Sequence, residues 1–321
     1  MKESTNLIAL KQSNTLVSIC VDASMHEVYL NESFYSIAKQ TEKPDVLVLC
    51  PSDTSDADLS KIEAIIKSPT INLVEKDEKG QPISKEDKAE EPINYTIVKI
   101  DDEGFGAIFN TVYRTAKSND YEFFMIVEHD DVLAFNWIKT ALSFAEEDSN
   151  TSIFFPLIRF IESGTFSKYM NEATWAEGFA EEAGKADINL LNRFNCLNIL
   201  GALLRVSDLD EYRLEKKEED SLMKDNIGIG HYYEFFLRMI YNDIKTLTVP
   251  RVGYELRMSP QESFNHNSTK IPSNITVIPK EKGGISGEHA KYNMDSAKKE
   301  YFFDYQRDTK PYQYPNEQQE A

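Results

Sequence analysis

Acidic side chains able to hold a hard cation cluster in one stretch, Tyr121-Glu-Phe-Phe-Met-Ile-Val-Glu-His-Asp-Asp-Val-Leu133. The apolar run from Phe123 to Val127 leads directly into Glu128, Asp130 and Asp131. Short apolar runs rich in Phe, Ile and Val read as strands buried on both faces. The acids then fall where the strand leaves the sheet, and open α/β sheets bind ligands outside the carboxyl ends of their strands. Glu128 and Asp130 are two apart, so a chain turning there can aim both at one point. Mg²⁺ and Mn²⁺ take oxygen ligands, often one or two carboxylates plus substrate phosphates. Two readings stand on these residues alone: a metal–diphosphate site, and an acidic loop after a core strand. His129 sits between the acids and is expected to point away, because neighbouring strand side chains alternate.

The elements that must position this stretch follow a strand–helix rhythm. Leu16–Val21 and Val46–Cys50 read as strands, and Val28–Gln40 and Asp58–Lys67 as helices with apolar residues at helical spacing. This is the start of a parallel α/β sheet. Residues 74–93 break the rhythm with Lys, Glu, Asp and Pro, as an exposed insertion or small hairpin would. Asn94–Ile100 resumes as a strand, Ala107–Lys117 as a helix, and Phe135–Glu146 as a helix after the acids. Further strands are expected at Ser152–Ile158, at Leu197–Arg205 around Gly201, and at Thr246–Val249, closed by Pro250. A helix is expected at Tyr232–Tyr241, where Glu234 and Arg238 stand four apart and can pair on one face. Leu209–Asn226 is charged and expected to be exposed. Trp175 and Phe179 read either as the cap of a pocket or as surface residues packing down.

Composition narrows the function classes. The 321 residues carry 54 acids and 35 bases, a net charge of −19, and 41% hydrophobic residues. That core fraction suits one large domain or two smaller ones. The charge argues against nucleic-acid partners and anionic membranes, which need basic patches. Cys20, Cys50 and Cys196 form no metal-ligand spacing and no even framework, which fits a reducing compartment. The first residues lack the apolar stretch of a signal peptide, and no run approaches a membrane span. A soluble, cytoplasmic protein without internal repeats is expected.

The order of parts resembles the GT-A glycosyltransferases, family 2 in particular, over roughly residues 15–257. Val17-Ser-Ile-Cys-Val21, followed by Glu27-Val-Tyr-Leu-Asn-Glu-Ser-Phe-Tyr-Ser-Ile-Ala-Lys-Gln-Thr-Glu-Lys-Pro-Asp45, is close to the family's opening strand and helix. Thr54-Ser-Asp56 resembles its Ser-Thr-Asp after the second strand, and the Gly104 to Asn110 spacing its Gly-to-Asn helix start. Glu128-His-Asp-Asp131 stands in the place of its Asp-x-Asp metal motif, and Leu237-Arg238, Pro250 and Tyr254 resemble its closing helix and strand. The resemblance implies a GT-A fold: an α/β, mixed, mostly parallel sheet flanked by helices. It divides the chain into an N-terminal tail (1–14), a glycosyltransferase domain (15–257) and a polar C-terminal extension (258–321). Within the domain, 15–158 would be the nucleotide-sugar half and 159–257 the acceptor half.

The resemblance also implies a chemistry. A sugar would pass from a nucleotide-diphosphate donor to the hydroxyl of a glycan or other acceptor, with inversion. Glu128 and Asp130 would hold Mn²⁺ or Mg²⁺; Asp22, Ala23, Asp53, Asn110 and Asp131 would contact the donor. Several positions depart from the family. Asp22-Ala-Ser-Met25 replaces Pro-Thr-Tyr-Asn, Cys50-Pro51 replaces the acidic pair that contacts the base, and Phe109 replaces an Arg. Glu128 replaces the first Asp of the metal motif. The acidic pair holding the general base aligns near His231-Tyr232, so Glu234, Asp220 and His231 are the candidates for that role. These losses keep a second hypothesis open, an inactive GT-A-like structural or binding module. A third is an unrelated doubly wound protein. The C-terminal extension would suit dimerisation or assembly with a partner.

Overall fold

The computed structural model describes residues 11–21, 26–76, 82–89, 91–101, 104–162, 165–176, 180–193, 196–212, 214, 221–224 and 231–258. The expected contact residues Asp22 and Ala23, the candidate base Asp220, Phe179, and the extension beyond 258 lie outside the described residues.

In chain order the first half runs β1 (Thr15–Cys20), α1 (Glu27–Ala38), β2 (Asp45–Pro51), α2 (Asp56–Lys67), β3 (Thr70–Lys76), β4 (Pro82–Lys88), β5 (Asn94–Ile100), α3 (Phe105–Ser118) and β6 (Phe123–Glu128). The second half runs β7 (Val132–Leu133), α4 (Trp137–Glu147), β8 (Thr151–Glu162), β9 (Thr165–Met170), α5 (Ile188–Arg193), β10 (Leu203–Arg205), α6 (Val206–Leu209), α7 (His231–Tyr241) and β11 (Lys245–Met258). Local chemistry sets several boundaries. Ser55 caps α2 by accepting the Asp58 N–H at 3.2 Å, and Asp56 and Asp58 face the positive end of the helix dipole. In α4 the stripe Trp137, Ile138, Ala141 and Ala145 is buried, as its spacing requires.

The main sheet has nine strands in the order β5-β2-β1-β6-β10-β8-β11-β7, with β9 beside β8. Strands β5, β2, β1 and β6 pair in parallel. Strand β10 runs antiparallel to both β6 and β8, which makes β8 parallel to β6, and β11 is parallel to β8. Six strands therefore point one way, against β7, β9 and β10. This is the mixed, mostly parallel α/β sheet flanked by helices that the sequence implies. Helix α3 packs on β6 and β1, α4 on β8, β10 and β11, and α1 on β7 and β3. Every residue of β6 is buried, which explains its continuous apolar run. Strands from both expected halves of the domain share this one sheet.

Strands β3 and β4 pair with each other in a separate antiparallel sheet, as the small hairpin reading expects. Tyr35 on α1 hydrogen-bonds Asp87 of the hairpin, and burial with that contact pushes the Tyr35 phenol up to about 12. Burial likewise raises the Cys50 thiol to about 11 and the Cys196 thiol to about 12, while Cys20 is half-buried. No helix among the described residues is long and apolar enough to cross a membrane.

Three local expectations fail. Pro250 does not close the last strand: β11 runs on to Met258, because Pro250 falls in an irregular stretch between Thr248 and Val252 where the ladder needs no donor. Only Leu203–Arg205 of the apolar run around Gly201 is strand, since Gly201 turns at φ 69°. The charged segment after Leu209 is not wholly exposed: Ser221, Leu222 and Met223 are buried.

Candidate functional site

The strand order reverses beside β1. After β1 the chain builds outward through β2 to β5, then returns to the other side of β1 as β6. That reversal is a topological switch point, where the loops beyond two neighbouring strands diverge and leave room for a ligand. Cys20 at the end of β1 lies opposite Glu128 at the end of β6. Glu128, Asp130 and Asp131 follow at that edge, 4%, 9% and 0% exposed. One carboxylate oxygen from each lies within 4.8 Å of the others. The acidic turn after the core strand is therefore a buried one. His129, in the turn after β6, is buried and outside this group.

Two elements hold the turn. From β11, the Tyr254 hydroxyl accepts the Glu128 N–H at 3.1 Å and donates to Asp131 Oδ2 at 2.7 Å. The Arg257 N–H donates to Asp131 Oδ1 at 2.8 Å, and Arg257 Nη1 donates to the Asp130 carbonyl at 3.0 Å. From α1, Ser33 Oγ donates to the Glu128 carbonyl at 3.3 Å and Ser36 Oγ accepts the Leu133 N–H at 3.1 Å. Glu32 pairs with the Arg257 guanidinium, which stacks on the Tyr29 ring with 4.1 Å to its centroid. Further on, Gln40 reaches both the Ala134 carbonyl at 2.7 Å and the Ile138 N–H at 3.1 Å. That contact gives the Gln40-Thr41 motif a physical reason: it fixes the start of α4. Burial, then the charges of Asp131 and Glu128, hold the Tyr254 phenol far above its ordinary range, so it stays a donor.

The other expected site residues lie apart from the acids or are engaged elsewhere. Asp53 is exposed in the turn after β2. Asn110 is buried; its side chain accepts the N–H groups of Leu222 and Met223, each at 2.9 Å, and donates to the Met223 carbonyl at 2.8 Å. Glu234 is 1% exposed, with Arg238 Nε at 2.9 Å and Lys224 Nζ at 3.3 Å. Arg238 also donates to the carbonyls of Tyr212 and Leu222. Asn110, Glu234 and Arg238 thus converge on the segment 221–224. His231 opens α7. Trp175 is 41% exposed, with its indole N–H on the Thr248 carbonyl at 2.8 Å.

Glu234→Gln is expected to lower stability by about 1–2 kcal/mol, since an amide still accepts from Arg238 but loses the charge-assisted contact. A melting curve checks it. An unchanged Tm would show that the ion pair contributes nothing.

Sequence reasoning missed Arg257, Ser33 and Ser36. Nothing in local periodicity marks a residue whose partner lies more than ninety positions away. Tyr254 was visible as a landmark, but not its contact with the acids.

No family model and no curated relative matches the chain. Among solved structures it is similar to S. aureus TarS 1-349 in complex with UDP-GlcNAc, at 17% identity and a TM-score of 0.48, over 77% of this chain and 59% of that one. It is also similar to S. aureus TarS 1-349 in complex with UDP, at 15% identity and a TM-score of 0.48, over 95% and 76% of the two chains. The chain thus spans less than two thirds of the length of the first of these. Likenesses at this level assign no activity to it.

Proposed function

We propose that the chain is a metal-dependent glycosyltransferase that moves a sugar from a nucleotide-diphosphate donor to an acceptor hydroxyl, with inversion. The observation that carries the reading is the convergence of Glu128, Asp130 and Asp131 at the sheet's switch point. The donor set is all oxygen, buried and anionic, which fits a hard divalent cation rather than zinc or copper. Glu128 and Asp130 are the residues that would hold Mn²⁺ or Mg²⁺. When bound, such an ion offsets the charge that develops on the departing diphosphate.

The chain's own residues do the rest. The end of β1 and the turn after β2, with Asp22, Ala23 and Asp53, would form the donor side, next to Asp131. The proton of the acceptor hydroxyl would go to a base within hydrogen-bond reach, drawn from Glu234, Asp220 and His231. Burial of Glu234 against Arg238 favours a second reading, a GT-A-like binding module without turnover. In either case the protein would act in the cytoplasm.

The test is a thermal-shift titration with Mn²⁺, alone and with a panel of nucleotide diphosphates and nucleotide sugars that includes UDP-GlcNAc. A ligand that binds only the folded state must raise Tm, by about 5–10 °C at a hundredfold excess over Kd. The reading requires a rise that needs metal and nucleotide together. No shift with any donor, with or without metal, would sink it. A shift without released nucleotide diphosphate in the presence of acceptors would select the binding module.

A further inference from the structure

We infer that Tyr254 and Asp131 are positioning residues, a tether from β11 that fixes the turn carrying Glu128 and Asp130 and leaves cation binding to those two. The inference deepens the proposed reading and rests on it for the identity of the ligand.

The geometry is that of a clamp. One hydroxyl reaches both ends of the turn: it accepts the Glu128 N–H and donates to the Asp131 carboxylate. The second Asp131 oxygen accepts the Arg257 N–H, and the Arg257 side chain takes the Asp130 carbonyl. A single strand therefore holds the backbone at 128 and 130 and the side chain at 131. Both oxygens of Asp131, 0% exposed, already accept hydrogen bonds. Each oxygen keeps a further lone pair, so these bonds do not bar a cation; they mark Asp131 as the acid whose two oxygens β11 already holds. Carboxylates used this way orient the groups that touch the metal.

Packing fixes where the hydroxyl sits. The Tyr254 ring lies flat against Gly201, where a Cβ would come within 2.6 Å of the ring. Trp137 donates its indole N–H to the Gly201 carbonyl at 2.7 Å, and its ring occupies the space where a side chain at Gly253 would stand. With both aromatic rings seated on glycines, the phenol oxygen has no freedom to follow a drifting turn. A ligand site held to small tolerances needs support of this kind.

The test compares the wild type with Tyr254→Phe, Asp131→Asn, the double variant, and Asp130→Asn as the loss of a ligand. Two quantities are read: Mn²⁺ affinity, from the resonance of the free ion, and hydrogen exchange of the amides at 128–131 and 254–257. Each tether variant should weaken Mn²⁺ by about 10–100-fold and speed exchange at those amides. The double variant should fall short of the sum of the two single losses, because both weaken the same clamp. Asp130→Asn should abolish binding with the amides still protected. Loss of all Mn²⁺ binding in Asp131→Asn with protected amides would make Asp131 a ligand and overturn the inference, as would additive effects. If the wild type binds no Mn²⁺, the metal reading fails separately. Exchange then decides the tether: local acceleration supports it, and unchanged exchange overturns it. Should Tyr254→Phe not fold, Asp131→Asn, which keeps one carbonyl for the phenol, carries both readouts.

Discussion

Replacing Glu128 and Asp130 together by alanine should abolish the metal-dependent rise in Tm and slow transfer by about a thousandfold or more. The size follows from what the two carboxylates are proposed to do. A bound divalent ion stabilises the charge developing on the leaving group by several kcal/mol, and each 1.36 kcal/mol of barrier is about tenfold in rate. Asp131 should not substitute alone: it is one carboxylate where three converged, and both its oxygens already accept hydrogen bonds from Tyr254 and Arg257. The same double variant should fold. Three buried carboxylates whose oxygens lie within 4.8 Å repel one another, so removing two relieves strain even as it leaves a small void. The measurement is release of nucleotide diphosphate with and without Mn²⁺, beside a melting curve in a chelator. Undiminished turnover in a folded double variant would refute the metal site.

Asp45→Ala should have the largest effect on stability, about 4 kcal/mol, with no direct effect on the acidic site. Asp45 is 1% exposed at the start of β2, at the opposite end of the strands from Glu128. Its Oδ2 accepts the N–H groups of Gln12 at 2.8 Å and Ser13 at 3.1 Å, and the Tyr121 hydroxyl at 2.8 Å. Its Oδ1 accepts from Asn94 Nδ2 at 2.6 Å. One carboxylate therefore joins the entries to β1, β2, β5 and β6. Alanine leaves buried donors without an acceptor, and in a chain of this size the loss should lower Tm by about 10 °C. Asp45→Asn keeps one acceptor oxygen and should lose less. A pH dependence accompanies the contact. Burial, then Asp45, holds the Tyr121 phenol above its ordinary range. A folded-state value above the unfolded one stabilises below about pH 10 and is lost as pH rises further. Urea titrations of both variants at neutral pH, and of the wild type through alkaline pH, check both statements. An Asp45→Ala midpoint equal to wild type would show that water satisfies these donors.

The same Asp45 shows how far sequence reasoning reaches. It closes the motif Lys43-Pro-Asp45, on which part of the resemblance rests, yet its role as a junction appears only with Gln12, Ser13, Asn94 and Tyr121 around it. Residues 12–13, expected to belong to a tail, are tied to the sheet by that carboxylate.

The sequence by itself determined the strand–helix order, the buried central strand Phe123–Glu128 and the placing of three acids at its carboxyl end. Those are local matters: period, run length and the point where apolar residues stop. Tertiary structure alone decided what holds Asp131. Asp131 is bound to Tyr254 and Arg257, more than a hundred residues on. It also decided that Pro250 lies inside a strand, that Ser221–Met223 are buried, and that Glu234 faces Lys224. The physical reason is common to all four. A hydrogen-bond partner or a bulge is fixed by which strands and helices become neighbours, and that adjacency leaves no periodic trace in either of the segments it joins.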